Sequence, residues 1–368
     1  MNARLKGIPP VALIMAGGTG GHVYPALALA RELRTRSWQI VWLGTRRGLE
    51  ARVVPADNIA IEWLSVSGLR GKGVMTWLAA PYRLLRSLFE ALTVIRRHRP
   101  AVVVGLGGFV SGPGGVAAWL LRRPLLIHEQ NAIAGFTNRC LARLARSVFA
   151  AFPNAFGSGV TTVVIGNPVR QEIAALPPPV VRFVGRNGPV RILAVGGSLG
   201  AARLNAVLPL ALARLAGRIN AEVRHQSGER LIDAARRAYT EAGVKAQVSP
   251  FIEDMAEAYG WADLVICRAG ALTISELAAA GVGAILVPYP LAVDDHQTHN
   301  AQYLVTEGAA LLIADRDLTP ERLATELSTL CAGRGKLIAM AERARLLART
   351  RATFDLAAAC QQFAGAAA

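Results

Sequence analysis

Short, almost wholly apolar runs alternate along this chain with longer stretches in which apolar positions recur every three or four residues. Runs near 11–16, 39–43, 101–105, 124–128, 147–151 and 161–165 read as strands, with helical spacing between them, as in 24–36 and 78–97. The runs are continuous rather than alternating, which predicts parallel strands covered on both faces, an α/β fold. The pattern restarts after Gly166 to Arg170 and the loose Pro177 to Pro179 stretch, with strands near 190–195, 221–225, 246–249, 263–267, 284–287 and 310–313. Two domains are therefore expected, 1–168 and 169–345. An alanine- and arginine-rich helix over 335–368 follows, and its 346–368 portion is long enough to return to the first domain. Residues 101–121 carry no charge, enough to span a bilayer, but six glycines and Pro113 break them into strand, turn and helix.

Two glycine-rich turns of one kind punctuate the pattern. Gly17-Gly18-Thr19-Gly20-Gly21-His22 follows the first strand, and Gly196-Gly197-Ser198-Leu199-Gly200 follows the first strand of the second half. Each opens a helix, where glycine allows close backbone approach and unpaired N–H groups meet an anion. One such turn per domain predicts two facing nucleotide-binding-type domains whose cleft holds two phosphorylated substrates.

Charge separates the halves. Of the net +16, residues 1–165 carry +14 and residues 166–368 only +2, so the first domain needs an anionic partner. Between Arg70 and Arg99 seven basic residues, Arg83 and Arg86 among them, surround one acid, Glu90. Apolar positions 77, 78, 81, 85, 88 and 92 follow helical spacing and read as a core face; Val74, Met75 and Trp77 at the helix mouth remain over and read as a peripheral membrane patch. Aromatics at 6% and the lack of a nucleic-acid-binding motif argue against a nucleic-acid partner. Four cysteines without CxxC spacing predict neither disulfides nor zinc and suit a reducing cytoplasm; the first ten residues do not read as an export signal.

Further motifs follow. Cys267 to Leu277 is a glycine turn opening a helix, in which Glu276 is placed to accept two hydrogen bonds from a ribose diol; Asp294-Asp295-His296-Gln297 comes later. Together with Gly107 to Pro113, His128 to Ala132, Gly166 to Arg170 and Phe251 to Met255, these blocks resemble, in order and over nearly the whole chain, the MurG family. That family, which falls within glycosyltransferase family 28, transfers N-acetylglucosamine to lipid I in bacterial peptidoglycan synthesis. The chain departs from it in a short N-terminal extension, in Phe109 where tyrosine is expected, and in its alanine-rich tail.

The resemblance implies a GT-B fold, inverting transfer from UDP-N-acetylglucosamine to the muramyl 4-hydroxyl of lipid I, no cofactor, and a peripheral place on the cytoplasmic face of the anionic inner membrane. Cell-wall synthesis and division proteins are the partners it brings in. It assigns the donor to Ser198, Ile252, Arg268, Ala271, Leu272, Thr273, Ile274, Ser275, Glu276 and Gln297, completed by Arg170 and Asn131. It assigns the acceptor pyrophosphate to Gly18, Thr19, Gly20, Gly21, Gly107, Gly108, Phe109 and Ser111, with Thr19 to Gly21 also counted toward the donor.

Hydroxyl attack needs a base, and two candidates stand: His22, whose unperturbed pKa of about 6.5 suits the task, and Glu129. His22 serving only to hydrogen-bond the turn or the acceptor phosphate is the competing role. No metal-ligand cluster is visible, since Asp294 and Asp295 are adjacent rather than spaced. Two other functions fit parts of the pattern: a diacylglycerol glycosyltransferase of the same fold, and a non-catalytic basic nucleotide-sugar sensor or nucleic-acid binder.

Overall fold

The computed structural model describes residues 9–66, 80–197 and 200–366; Val74, Met75, Trp77 and Ser198 lie outside them. The chain divides into two units, 1–168 with 350–368, and 169–349.

In the first unit the order is β1 (Val11–Ala16), α1 (Gly20–Thr35), β2 (Gln39–Gly44), α2 (Glu50–Ala56), β3 (Ala60–Trp63), α3 (Ala80–His98), β4 (Val102–Gly107), α4 (Ser111–Leu120), β5 (Leu125–Glu129), α5 (Phe136–Ala142), β6 (Ser147–Ala150) and β7 (Val163–Val164). The strands are parallel in the order β3-β2-β1-β4-β5-β6-β7. Both faces are covered, which is why the strands lack polar alternation. Ala12, Ile14 and Ala16 of β1 enter one core with Ala26, Ala30 and Leu33 of α1, while Leu13 and Met15 enter the other with Ala91, Val94 and Ile95 of α3.

The second unit runs α6 (Gln171–Ala174), α7 (Pro179–Arg182), β8 (Val190–Val195), α8 (Ala202–Ala213), β9 (Ala221–Gln226), α9 (Ile232–Glu241), β10 (Gln247–Ser249), α10 (Met255–Trp261), β11 (Leu264–Cys267), α11 (Ala271–Ala280), β12 (Gly283–Leu286), α12 (His296–Val305), β13 (Ala310–Leu312), α13 (Pro320–Cys331) and α14 (Arg334–Leu346). Its parallel sheet has the order β10-β9-β8-β11-β12-β13. In each sheet the strand order reverses beside the first strand, between β1 and β4 and between β8 and β11, the place where open α/β sheets bind ligands.

Three sequence expectations need correction. The half-buried strand β3 carries Glu62 and only three apolar residues, too short for periodicity to register. The terminal helix is two: α14 packs in the second unit's core through Leu337, Met340 and Ala341, and α15 (Ala352–Ala366) in the first unit's through Leu356, Ala357 and Cys360. No glycine or proline marks the break at 347–351; the helices end there because each serves a different core. On α3 the buried face is Ala80, Ser87, Ala91, Val94 and Ile95, whereas position 85, expected inside, is 56% exposed.

Candidate active site

In the first unit the turns after β1 and β4 touch. Gly107 and Gly108 have φ of +111° and +83°, and a Cβ on Gly108 would lie 2.4 Å from the Gly17 carbonyl oxygen. A Cβ on Gly107 would lie 2.7 Å from Cδ2 of His22, so the imidazole rests directly on that glycine. Only glycine satisfies both the backbone geometry and the close approach. Neither α1 nor α4 has an acid in its first turn, leaving both N-termini favourable to an anion. Phe109 is exposed at the rim. Ser111 is fully buried: its hydroxyl accepts from Gly107 N at 3.2 Å and lies 2.9 Å from the Gly107 carbonyl oxygen and 3.2 Å from that of Met15, so it braces the turn from behind. Glu50, also fully buried, accepts from Gly18 N at 2.9 Å and from Thr45 N and Oγ1 at 2.9 and 2.8 Å. It anchors the first turn, and sequence reasoning missed it because a lone glutamate at a helix start looks like ordinary dipole compensation.

Glu129, at the end of β5, accepts three hydrogen bonds from the loop that follows it and one from α5. They come from Asn131 N and Nδ2 at 2.9 and 3.3 Å, Gly135 N at 3.1 Å and Asn138 Nδ2 at 2.8 Å. A carboxylate this fully engaged and buried holds the Asn131 loop in shape.

In the second unit α8 and α11 likewise lack acids in their first turns. Glu276, one turn into α11, accepts from Arg170 and from the Tyr259 hydroxyl at 3.3 Å. Burial, the largest influence, raises its pKa, and Arg170 partly offsets the rise. Gln297 uses Oε1 to accept from Ala269 N and Tyr289 N at 3.2 and 2.9 Å, joining the loops after β11 and β12. Just before it, ahead of His296, Asp294 and Asp295 hold φ of +52° and +49°, left-handed values that aspartate adopts more readily than most non-glycine residues. Arg268 donates to the carbonyls of Val287 and Pro288 at 3.2 Å each and to Asp315 at 2.6 Å, which orients it toward the loops rather than leaving it a loose cation. Ser275 Oγ donates to the Ala271 carbonyl at 3.1 Å, while Leu272, Thr273 and Ile274 complete the first turns of α11. Ile252 is half-buried in the loop between β10 and α10.

The Glycosyltransferase family 28 N-terminal domain matches residues 12–150 and the corresponding C-terminal domain residues 191–356. The chain belongs to glycosyltransferase family 28. Among its relatives is the UDP-N-acetylglucosamine–N-acetylmuramyl-(pentapeptide) pyrophosphoryl-undecaprenol N-acetylglucosamine transferase of Marinobacter nauticus, 58% identical over 93% of this chain and 94% of the relative. The enzyme of that name from Alkalilimnicola ehrlichii is 57% identical over 95% and 97%. The crystal structure of Acinetobacter baumannii MurG superposes with a TM-score of 0.87 at 44% identity, covering 96% of this chain and all of that one. This family 28 member is thus a glycosyltransferase with the two Rossmann-like domains of the GT-B class.

Outside the glycine turns, α3 presents Tyr82, Leu84, Leu85 and Phe89 to solvent beside Arg83 and Arg86, the latter paired with Glu90 at 3.0 Å. Among the described residues no helix is long and apolar enough to cross a membrane, and no group of three or more His, Cys, Asp or Glu side chains is placed to hold a metal ion. All four cysteines are free thiols.

Proposed function

We propose that this enzyme transfers N-acetylglucosamine from UDP-N-acetylglucosamine to the 4-hydroxyl of the muramyl sugar of lipid I, with inversion, at the cytoplasmic face of the inner membrane. The observation that carries the reading is that each domain keeps acid-free helix N-termini at its own strand-order reversal, one set for each phosphorylated substrate. The names of the relatives supply the substrates.

In this reading the turns at Gly18–Gly21 and Gly107–Gly108 cradle the acceptor pyrophosphate, and His22 takes the proton of the muramyl 4-hydroxyl as its oxygen bonds to the donor's anomeric carbon. The bond from that carbon to the diphosphate breaks in the same step, and UDP leaves with its charge stabilised by the N-termini of α8 and α11. Glu129 acts by shaping the Asn131 loop, Glu276 holds the ribose and Ile252 meets uracil. Gln297 directs its amide nitrogen to the sugar hydroxyls. The apolar residues of α3 with Arg83 and Arg86 dock the first domain on anionic lipid, and cell-wall synthesis and division proteins are its expected partners.

A radiolabel transfer assay with UDP-N-acetylglucosamine tests the reading, offering a short-chain lipid I analogue in parallel with diacylglycerol. Label should pass to the lipid I analogue alone; transfer to diacylglycerol would establish the other acceptor.

A further inference from the structure

The side chain of Gln226, at the end of β9, is buried and makes three hydrogen bonds. Its Oε1 accepts from Gly197 N at 2.9 Å, and its Nε2 donates to the Gly197 carbonyl at 3.0 Å and to the Pro250 carbonyl at 2.9 Å. The amide thus pairs with one residue of the glycine turn after β8 much as a neighbouring strand would, and its second N–H reaches the segment leading into Phe251 and Ile252. Around it, the Gln226 carbonyl accepts from Gly196 N at 2.9 Å, Ser227 N donates to Ser249 O at 3.0 Å and Gly228 N to Pro250 O at 3.1 Å. No other side-chain type of this length supplies one acceptor and two donors in a plane.

We infer that Gln226 is a positioning residue that ties the diphosphate turn to the base-binding segment, so that the phosphate and nucleobase parts of a uridine diphosphate are recognised as one unit. The inference rests on the proposed donor site. With Gln226 in place, a base seated at 250–252 fixes the turn at Gly196–Gly197 before the diphosphate arrives, and the second contact forms without a further ordering cost.

Gln226→Glu keeps the length and the acceptor but sets a carboxylate against two carbonyl oxygens; Gln226→Met keeps the volume and removes all three bonds. Each should raise the KM for UDP-N-acetylglucosamine and weaken UDP by about tenfold or more, the scale of a buried polar group losing its partners. The KM for a short-chain lipid I analogue should stay at its wild-type value. The preference for UDP over CDP should narrow, which a general loss of stability measured below the unfolding transition would not produce. Folded variants with wild-type UDP affinity and wild-type UDP-over-CDP preference would overturn the inference. If both variants fail to fold, hydrogen exchange on the wild-type enzyme decides: saturating uridine, which has no phosphate, should slow exchange at the Gly196–Gly197 turn, and unchanged exchange there overturns the coupling. Wild-type enzyme that binds no UDP would instead overturn the proposed donor site itself.

Discussion

The carboxylate of Glu276 takes two hydrogen bonds from Arg170 on a single oxygen, from Nε at 3.1 Å and from Nη2 at 2.9 Å. The proposed ribose acceptor is thus held by a cation that is half exposed, while Glu276 itself is nearly enclosed. A donor diol arriving there meets a carboxylate already oriented and still short of its full set of partners.

Glu276→Gln separates the stability of this carboxyl from its use. Burial raises its folded pKa above the ordinary value, so the folded protein holds the proton more tightly than the unfolded chain does. The group therefore adds stability at pH below its unfolded pKa and loses that contribution as pH rises through the folded one. Glutamine cannot ionise, so in urea unfolding the variant should gain on wild type as the pH rises above the ordinary carboxylate value of about 4. Calorimetry should show UDP weakened about tenfold. Wild-type UDP affinity would remove Glu276 from the ribose.

His22→Ala should lower kcat by about 10²- to 10⁴-fold with donor KM little changed, the scale of losing a general base. Gly107→Ala should do much of the same by pushing the imidazole away, since its Cβ would meet the ring at 2.7 Å. Glu129→Gln should keep kcat within about tenfold of wild type, because an amide retains part of the loop's hydrogen bonding. Near-normal turnover in His22→Ala together with a collapse in Glu129→Gln would reverse the two roles.

Asp263 is fully buried and accepts from Arg186 at 2.5 Å, Arg334 at 3.4 Å and the Arg191 amide at 3.1 Å. Asp263→Ala leaves two largely enclosed guanidinium groups without their anion and should destabilise the second unit by about 3–5 kcal/mol in urea unfolding. UDP affinity below the transition should hold, since the side chain lies apart from the proposed site residues. A loss under about 1 kcal/mol would mean the arginines are satisfied by the carbonyls they also contact.

Vesicle sedimentation can divide the proposed contact of α3 with lipid into two contributions. Charge reversal at Arg83 and Arg86 should reduce binding to anionic liposomes at low salt, where each basic residue contributes about 1 kcal/mol and screening extends over about 10 Å at 0.1 M. Leu85→Ser with Phe89→Ser should instead remove the salt-resistant fraction. Unchanged sedimentation in both double variants would place membrane contact elsewhere.

What the sequence made legible follows from which forces act locally. Glycine turns after apolar runs are dictated by backbone sterics and the need to leave N–H groups open, so the turns at Gly17 and Gly107 could be read directly. Glu50 and Gln226 could not, because their partners are backbone atoms of turns 32 and 29 residues away and neither side chain belongs to a glycine motif. The same limit explains α3: spacing showed an amphipathic helix but set its inward face about one position off, which only packing against β1 and β4 fixes. The break between α14 and α15 has little local signal, since Leu347, Ala348, Arg349 and Arg351 are good helix formers and only Thr350 is a weak one.

The return of α15 to the first unit also orders events on the ribosome. The apolar face that Leu356, Ala357 and Cys360 cover on the first unit is translated long before its cover, with residues 169–349 emerging in between. At about 5–20 residues per second that interval is roughly 10–40 s, far longer than the time small domains need to fold. The nascent first unit therefore carries an unsealed hydrophobic seam while the second is being synthesised, and α15 covers it only once it emerges, so a chain stalled before α15 leaves that core face open to water.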